Sequence, residues 1–492
     1  MEEPVKDDEN SIFKTRSFRT SLIQDFGKYE TRLLLITQIG YIPVAASMLL
    51  TTFAEPSEHF CTFVTSSGFD VKHAFMNNYS NEFYSLSVEF NKSCKSSSGQ
   101  VTTFLSSLLM WGALIGSFCC GCLSDAYGRK PVFAGCLAAI SVINFLLCFS
   151  TFLSWITVAC FLLILVFFCG GYMVTNFVLL TEALELSRSR LLAVSLNGWS
   201  ISMAITSFLA WSTRHWFAYH SVIALIGLII TFVAKFFTLE SCRWLSAKNQ
   251  KLQARNNAMA INQINGKDLV ENDVIEWYEL LGFPAPMRCA SSGKWTTLFT
   301  SRKLLKPTLV MFYCFAASSI VSFGFYFSLD VLPGDRYTNL ACMGLFKFAL
   351  GFTPFWLSNF LSKKTIATLS VGLCCISALL IFPIEILAKN NIGWIVSILS
   401  VIVGAGMDPT WKINHLYSTE LFPTSVRSMG RGVCNVGGRL GSVIAPMIVY
   451  LRSYDSAYPF IVFAVLLVVQ WFIVICFLPN DNDREANEMD ED

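Results

Sequence analysis

The stretch GCLSDAYGRK, residues 121–130, decides how this sequence folds. It follows a run of twenty residues, 101–120, without a charged side chain, and it then places an aspartate, an arginine and a lysine within six positions. An uncharged run of this length is long enough for a helix that crosses the hydrocarbon of a bilayer. The sequence therefore predicts a membrane span that ends in a short, strongly charged turn.

The composition extends this prediction to the whole chain. The protein has 492 residues, of which 54% are hydrophobic and 14% are charged, and its mean hydropathy is +0.53. Soluble domains carry about 25% charged residues, so a bundle of membrane helices is the better interpretation. The net charge of +2 gives no reason to expect nucleic acid as a partner. Residues 1–30 are polar and of mixed charge, so we expect no cleavable signal peptide there.

Twelve apolar segments are each close to the ~20 residues that a spanning helix needs. We therefore predict an all-α membrane protein with twelve transmembrane helices in two six-helix halves, 31–238 and 307–478. Residues 1–30 are a cytosolic N-terminal segment, 54–100 an extracellular loop, 239–306 a cytosolic linker and 479–492 an acidic cytosolic tail. The predicted spans are 31–53, 101–122, 131–151, 155–180, 191–213, 219–238, 307–330, 339–360, 365–385, 393–417, 430–451 and 457–478.

The distribution of lysine and arginine gives the orientation, because cytosolic loops carry an excess of both. With the N-terminus inside, the short inner loops hold Arg129, Lys130, Arg188, Arg190, Lys363, Lys364, Arg427 and Arg431. The short outer loops hold Arg214, Arg336, Lys389 and Arg452. We therefore expect a multi-pass protein of the plasma membrane with both termini in the cytosol.

The loop 54–100 has the content of an extracellular segment. It contains two glycosylation sequons, which begin at Asn78 and Asn91, and two of the seventeen cysteines, Cys61 and Cys94. An oxidising compartment favours a disulfide between these cysteines, and we expect glycosylation at one of the two asparagines. The alternative is two free thiols and two chance sequons.

An internal repeat relates the two halves. SDAYGRK at 124–130 aligns with SNFLSKK at 358–364, and Thr181-Glu182 aligns with Thr419-Glu420, which are offsets of 234 and 238 residues. Such a duplication is typical of transporters whose halves rock around a site at the membrane midplane. A duplicated enzyme or a channel could be built in the same way.

Acidic and basic residues at the inner ends of the spans predict a latch that joins the helices on the cytosolic side. Asp125 can accept backbone N–H groups at the positive end of a helix, and Gly121 can let two helices approach closely. The alternative is ordinary anchoring by inner bases, which does not explain the matched acids. The predicted latch comprises Asp125, Arg129, Lys130, Glu182, Arg190, Glu240, Arg243, Glu420 and Arg427.

These segments resemble the signatures of a known family. GCLSDAYGRK resembles the loop signature of the major facilitator superfamily, and four further segments resemble its organic ion transporter family, which handles organic cations, anions and zwitterions. The resemblance implies the major facilitator fold and alternating-access transport of a small organic ion across a lipid bilayer, and it allows a coupling proton or counter-ion. The four segments are GGYMVTNFVLLTE (170–182), ESCRWL (240–245), ELFPTSVRSMG (420–430) and RLGSVIAP (439–446).

Departures from the family pattern mark a divergent member. Cys242 replaces the expected proline, and Ser362 replaces the glycine of the second-half loop. Arg190 falls one position late relative to Glu182, so Arg188 is an alternative for its role.

Charged residues within the spans are costly and are therefore candidates for the substrate site. They are Lys347, Asp408, Lys412 and Arg439, three positive charges against one negative. Asp408 and Lys412 lie four residues apart on one helix face, either as a structural pair or as a pair that responds to a proton or substrate. The aromatic seventh span adds Tyr313 and Tyr326, since buried hydroxyls want partners.

Arg439 indicates the charge of the substrate. Near the middle of span eleven it must meet an acid, a carbonyl or a bound anion, because it keeps its proton there. The excess of positive charge favours organic anions or zwitterions over cations. The family resemblance agrees, since its cation carriers tend to place an acid in this part of the span and its anion and zwitterion carriers an arginine.

Several other functions lack support. No GxxxxGK[ST] loop suggests ATP-driven transport, and the five histidines are scattered without metal-ligand spacing. We therefore expect no enzyme, cofactor or metal. The alternatives that remain are an organic cation transporter, a sugar-type facilitator, and a sensor or scaffold with the shape of a transporter.

Overall fold

The computed structural model describes residues 26–68, 70–76, 82–95, 98–184, 187–196, 198–266, 295–329, 334–387, 393–422, 427–455 and 457–478. Within these ranges eleven helices are long and apolar enough to cross a membrane. A twelfth span, the first, is interrupted and therefore falls short of that length. The prediction of an all-α bundle with twelve membrane spans is confirmed.

The helices follow the predicted order, and each predicted segment coincides with one of them. Span 1 consists of Lys28–Ile39, Tyr41–Met48 and Leu50–Phe53, and span 2 is Ser98–Tyr127. The other spans of the first half are Arg129–Leu147 (span 3), Trp155–Ala183 (span 4), Ser187–Ser195 with Gly198–Thr213 (span 5) and Trp216–Phe237 (span 6). The second half comprises Arg302–Phe327 (span 7), Arg336–Gly351 with Thr353–Leu357 (span 8), Lys363–Leu387 (span 9), Gly393–Glu420 (span 10), Arg427–Tyr450 (span 11) and Tyr458–Phe477 (span 12).

Short helices lie outside the spans. The outer loop contains Glu58–Ser67, Val71–Met76 and Leu86–Glu89. The segment between the halves contains Cys242–Ala247, Lys251–Asn265 and Trp295–Thr300. Asn265 donates to the Glu30 carboxylate at 3.0 Å and accepts from the backbone of Tyr29 at 2.9 Å, so the end of helix Lys251–Asn265 packs against the start of span 1.

Span 1 is interrupted where span 4 reaches into it. The hydroxyl of Tyr172 donates to the backbone carbonyl of Thr37 at 2.6 Å. A Cβ atom at Gly40 would lie 2.2 Å from that hydroxyl oxygen, so only glycine leaves room for it. The tyrosine thus occupies the space at the break between Ile39 and Tyr41.

Glycines bring spans 2 and 4 together, but not at the predicted position. A Cβ atom at Gly116 would lie 1.9 Å from the Phe167 carbonyl oxygen, and one at Gly170 would lie 2.2 Å from that of Ala113. A Cβ atom at Gly121 would meet only a Val174 methyl at 3.7 Å, an ordinary contact. The close approach of spans 2 and 4 therefore occurs farther inside span 2 than Gly121.

Large apolar side chains cover the outside of the bundle, as expected for a lipid-facing surface. Examples are Phe208, Leu225, Phe232, Phe236 and Trp356, which are each about 60% exposed or slightly more. The two halves meet mainly through spans 2 and 11 and through spans 5 and 8. At Gly344 of span 8 the approach is close, since a Cβ atom would lie 2.7 Å from the Ser200 carbonyl oxygen of span 5.

Candidate functional site

Three of the four predicted intramembrane charges meet in one buried cluster. Asp408 of span 10 lies 3.6 Å from the ammonium of Lys347 in span 8 and 3.6 Å from that of Lys412 in its own helix. All three side chains are almost fully buried. Gly351 makes room for the carboxylate, because a Cβ atom there would lie 2.6 Å from its oxygen. The cluster carries a net charge of +1.

The cluster also touches its surroundings through both lysines. Lys347 donates to the Tyr326 hydroxyl at 2.6 Å, which places this predicted tyrosine beside the charges. Lys412 reaches the first half, where its ammonium lies 3.5 Å from the Ser195 carbonyl oxygen and contacts that of Val194. One buried cation therefore bridges the two halves.

Arg439 of span 11, the fourth predicted charge, has other neighbours than the lysine cluster. Its guanidinium contacts the sulfur of Met173 in span 4 at 3.5 Å, and its charge interacts with Tyr41 of span 1. Asp408 is instead occupied by the two lysines. Among the described residues no carboxylate forms an ion pair with Arg439.

Aromatic rings of both halves line the same interface. Tyr41 contacts Tyr172 and Trp199 edge-on, with ring centroids 5.4 and 6.5 Å apart. Trp199 of the first half then meets Phe323 of span 7 at 6.5 Å, and Phe323 meets Tyr326 at 5.5 Å. This row of rings connects the surroundings of Arg439 to the lysine cluster.

His415 of span 10 is a site residue that the sequence analysis did not identify. Its ring lies 5.8 Å from that of Phe177 in the first half, 5.0 Å from Phe315 and 5.5 Å from Trp411. The guanidinium of Arg431 lies 5.4 Å from the centroid of the same Phe177 ring. The position of this histidine, three residues after Lys412 on the same helix, was the signal that could have identified it.

Tyr313, the other predicted tyrosine, contacts span 12. Its hydroxyl donates to the backbone carbonyl of Leu466 in span 12 at 3.0 Å, within the second half. The neighbours of Tyr313 depend on the rotation of span 7 about its axis. The aromatic sequence of span 7 does not by itself determine that rotation.

The predicted inner latch contains a compact charged cluster at the ends of spans 2, 3 and 4. Arg129 lies 3.2 Å from the Glu182 carboxylate and also pairs with Asp125. Glu240, after span 6, accepts from the backbone N–H groups of Arg129 at 2.9 Å and Lys130 at 3.2 Å, and so caps the start of span 3. All these contacts join elements of the first half to one another or to the segment that follows span 6.

The remaining latch candidates are only partly visible. Arg190 donates to the Leu184 carbonyl at 2.9 Å, and Arg243 is half-buried on helix Cys242–Ala247. The side chains of Arg188, Glu420 and Arg427 lie outside the described part of the chain.

A disulfide and the contacts of one carboxylate, Glu89, hold the outer loop together. A disulfide joins Cys61 to Cys94. Burial acts to raise the pKa of Glu89, but hydrogen bonds from Tyr84 and Lys72 outweigh it and hold that pKa below its usual value. Of the two sequon asparagines, Asn91 is exposed in a turn, and Asn78 lies outside the described residues.

A second set of contacts joins the halves at the predicted outer end of the interface. Arg336, at the start of span 8, lies 2.9 Å from the Glu82 carboxylate of the outer loop and donates to the Glu55 carbonyl at 2.6 Å. The Tyr337 ring stacks on Phe53 with centroids 5.6 Å apart, and its carbonyl accepts from Ser207. We call Arg336, Glu82, Phe53 and Tyr337 the outer gate. Of these four residues, only Arg336 was predicted from the sequence to lie on the outer side.

Comparison with known proteins agrees with this architecture. The family model described as Major Facilitator Superfamily matches residues 41–446 and 338–491. Solute carrier family 22 member 15 of Xenopus tropicalis is 28% identical over 371 residues, which cover 73% of this chain and 66% of that protein. Organic cation/carnitine transporter 2 of Mus musculus is 25% identical over 379 residues, which cover 75% of this chain and 65% of that protein. The matched region thus spans just under two thirds of the length of these relatives.

The fold also has solved counterparts. The proton:xylose symporter XylE of E. coli, bound to 6-bromo-6-deoxy-D-glucose, superposes with a TM-score of 0.65 over 92% of this chain and 96% of that one. The two sequences are 12% identical, so the likeness concerns the fold alone.

Proposed function

Since the chain belongs to the Major Facilitator Superfamily, we propose that it is a secondary-active or facilitative transporter of small organic ions. It works by alternating access of a site between its two halves, and it favours organic anions or zwitterions over cations. A proton or counter-ion is a possible coupling partner for this movement. The lipid bilayer is its environment, and no step of this function requires catalysis of a chemical reaction.

The observation that carries the charge preference is the excess of buried positive charge at the interface. Lys347, Lys412 and Arg439 contribute three cations and Asp408 one anion, and Arg439 has no ion-pair partner among the described residues. A desolvated guanidinium gains most from a bidentate contact with a carboxylate. A substrate that brings a carboxylate into the interface would therefore offset the cost of burying Arg439.

The aromatic row supports an organic rather than an inorganic substrate. Tyr41, Trp199, Phe323 and Tyr326 offer ring faces from both halves within one continuous set of contacts. Such faces bind flat apolar groups by contact area and cationic groups by cation–π attraction. The row thus suits a ligand with an organic body and one charged end.

We assign the inner cluster a role in gating rather than in substrate binding. Asp125, Arg129, Glu182 and Glu240 fix the inner ends of spans 2, 3 and 4 to one another. In our proposal this rigid unit meets the second half, through Glu420 and Arg427, when the protein opens outward. Lys130, Arg190 and Arg243 complete the same inner layer.

The topology of the proposal places both termini and residues 239–306 in the cytosol of a plasma-membrane protein. Residues 54–100 are then extracellular, where the disulfide between Cys61 and Cys94 and glycosylation at Asn78 or Asn91 belong. A deglycosidase should change the gel mobility of the wild-type protein and not that of a variant in which both asparagines are glutamine.

The experiment that tests the proposed function compares uptake of aromatic probes that share a phenyl ring and differ in charge. Cells that express the protein receive benzoate, the neutral benzamide or the cation benzyltrimethylammonium, with untransfected cells as the control. We expect uptake of benzoate, or of a zwitterion such as 4-(trimethylammonio)butanoate, above the control. Uptake of the cation alone would favour the organic cation alternative. No uptake of any probe, at a confirmed surface level, would favour a sensor or scaffold.

A further inference from the structure

A cleft lies between the halves at the predicted outer end of the bundle, and none of its lining residues belongs to the cluster of Lys347, Asp408 and Lys412. Its volume is about 130 Å³, and residues of spans 1, 2, 7 and 11 line it. Because both halves contribute walls, the cleft must change shape whenever the halves move. Pockets for drug-sized ligands are about 300 Å³ or larger, so this cleft is suited to a compact ligand.

The lining carries one acid, one base and several hydroxyls. Glu55 lies at the end of span 1 and Arg452 just after span 11, so opposite charges come from opposite halves. Hydroxyl groups are contributed by Thr51, Thr52, Thr102, Thr103, Ser106, Tyr450 and Ser453. The Glu55 carboxylate accepts from the Thr102 hydroxyl at 2.7 Å, which fixes its position.

One lining hydroxyl indicates that the cleft is built to take a polar ligand. Thr51 is 7% exposed, and its Oγ1 atom is buried without a hydrogen-bond partner. Buried hydroxyls in native proteins nearly always have partners. Thr51 lines the cleft, and a ligand that turns its hydroxyl toward the cleft would supply the missing partner.

We propose that this outer cleft is an entry subsite that binds compact zwitterions, with the cationic end at Glu55 and the carboxylate at Arg452. The proposal rests on the proposed transport function and narrows its substrate class. A ligand that engages both residues contacts both halves and is therefore sensitive to their relative position. It also lies next to the outer gate, because the backbone carbonyl of the same Glu55 accepts from Arg336.

Three probes of nearly equal shape test the contribution of each ligand charge separately. Glycine betaine carries both, choline carries only the cation, and 3,3-dimethylbutanoate carries only the carboxylate. Binding to purified full-length protein is measured by calorimetry and by thermal shift, without any need for transport. The variants are Glu55→Gln, which keeps the backbone carbonyl for Arg336, together with Arg452→Gln and Thr51→Val. Arg214→Gln, an outer arginine that does not line the cleft, is the control.

We expect glycine betaine to bind wild-type protein more tightly than either single-charge probe. Glu55→Gln and Arg452→Gln should each weaken glycine betaine at least 5-fold, and Thr51→Val about 3-fold, while Arg214→Gln leaves it unchanged. Glu55→Gln should weaken choline but not 3,3-dimethylbutanoate, and Arg452→Gln the reverse. Absence of betaine binding to the wild type, or equal effects of both variants on all three probes, would overturn the proposal.

The outcomes also distinguish this subsite from the proposed function. Arg439→Ala should lower uptake of an anionic substrate at least 10-fold and leave glycine betaine binding to the purified protein intact. If glycine betaine binding depends on Glu55 and Arg452 but the protein shows no uptake, the transport proposal is overturned and the subsite stands. Uptake that is unchanged by substitution of Glu55 and Arg452, together with the absence of glycine betaine binding, would overturn the subsite and keep the transport proposal.

Discussion

The ammonium of Lys412, in the second half, lies 3.5 Å from the backbone carbonyl oxygen of Ser195, in the first half. The same ammonium lies 3.6 Å from Asp408, so it divides its interactions between its own helix and the opposite half. The carbonyl is a dipole and Asp408 is a full charge, which means that separation of the halves leaves Lys412 with its stronger partner. Lys412 can therefore hold the halves together without preventing their separation.

The charge balance of this cluster predicts unequal effects of its substitutions. Asp408→Asn leaves two lysines buried without an anion, and loss of a buried partner costs about 3–5 kcal/mol. Lys412→Met leaves Lys347 and Asp408 as a neutral pair, so we expect a smaller loss of stability. The thermal unfolding temperature of the purified protein in detergent measures both. Equal or reversed losses would show that the three residues do not share their charges as the distances indicate.

Gly128 is the glycine of the inner turn that the backbone requires. Its φ of 117° is unfavourable for other residues, and a Cβ atom there would lie 2.4 Å from the Glu240 carboxylate that caps span 3. We expect Gly128→Ala to cost about 1–3 kcal/mol from backbone strain alone and to lower the surface level. Gly135→Ala in span 3, just after this turn, is the matched control, because nothing lies within 4 Å of its Cβ position. If both variants reached wild-type levels, the turn would not constrain the fold.

The inner cluster should affect turnover more than binding. Arg129→Ala removes the partner of Glu182 and Asp125 without touching the interface residues, so it changes the equilibrium between states rather than the ligand contacts. We expect kcat for uptake to fall several-fold with KM changed less than 2-fold. Surface biotinylation supplies the normalisation. A rise in KM with constant kcat would place Arg129 in the binding site and contradict the gating role.

The outer gate should control access to the outer cleft. Glu82→Gln removes the charge that holds Arg336, and it should favour the outward-open form. A Thr103→Cys reporter in the cleft is then labelled by a membrane-impermeant thiol reagent, and we expect the labelling rate to rise at least 3-fold. Glu89→Gln is the control, since Glu89 binds Lys72 and Tyr84 within the outer loop. Equal rates in all three proteins would count against the gate.

Much of the fold follows from the sequence because membrane spans are defined by local composition. Runs of apolar residues located all twelve spans, and the charged turn at 124–130 located the end of span 2. The break in span 1 was missed, because it depends on Tyr172 from a different helix. The local sequence of span 1 holds no information about a side chain that enters it from span 4.

The candidate site was less predictable for the same reason. Asp408 and Lys412 share a helix, so their spacing predicted their proximity, whereas the approach of Lys347 depends on how spans 8 and 10 pack at Gly351. The pairing of Arg336 with Glu82 joins residues 254 positions apart. Tyr313 was a reasonable candidate from composition, but the rotation of span 7 directs its hydroxyl to Leu466.

The measurement that tests the central claim most directly is uptake of an anionic substrate by variants of Arg439. Benzoate uptake is compared among wild-type protein, Arg439→Lys and Arg439→Ala at matched surface levels. Lysine keeps the charge and loses the planar pair of donors that grips a carboxylate. We predict that uptake falls at least 10-fold in Arg439→Ala and by a smaller factor in Arg439→Lys, mainly through KM. Unchanged uptake in both variants, or wild-type uptake of quaternary ammonium compounds only, would contradict the account.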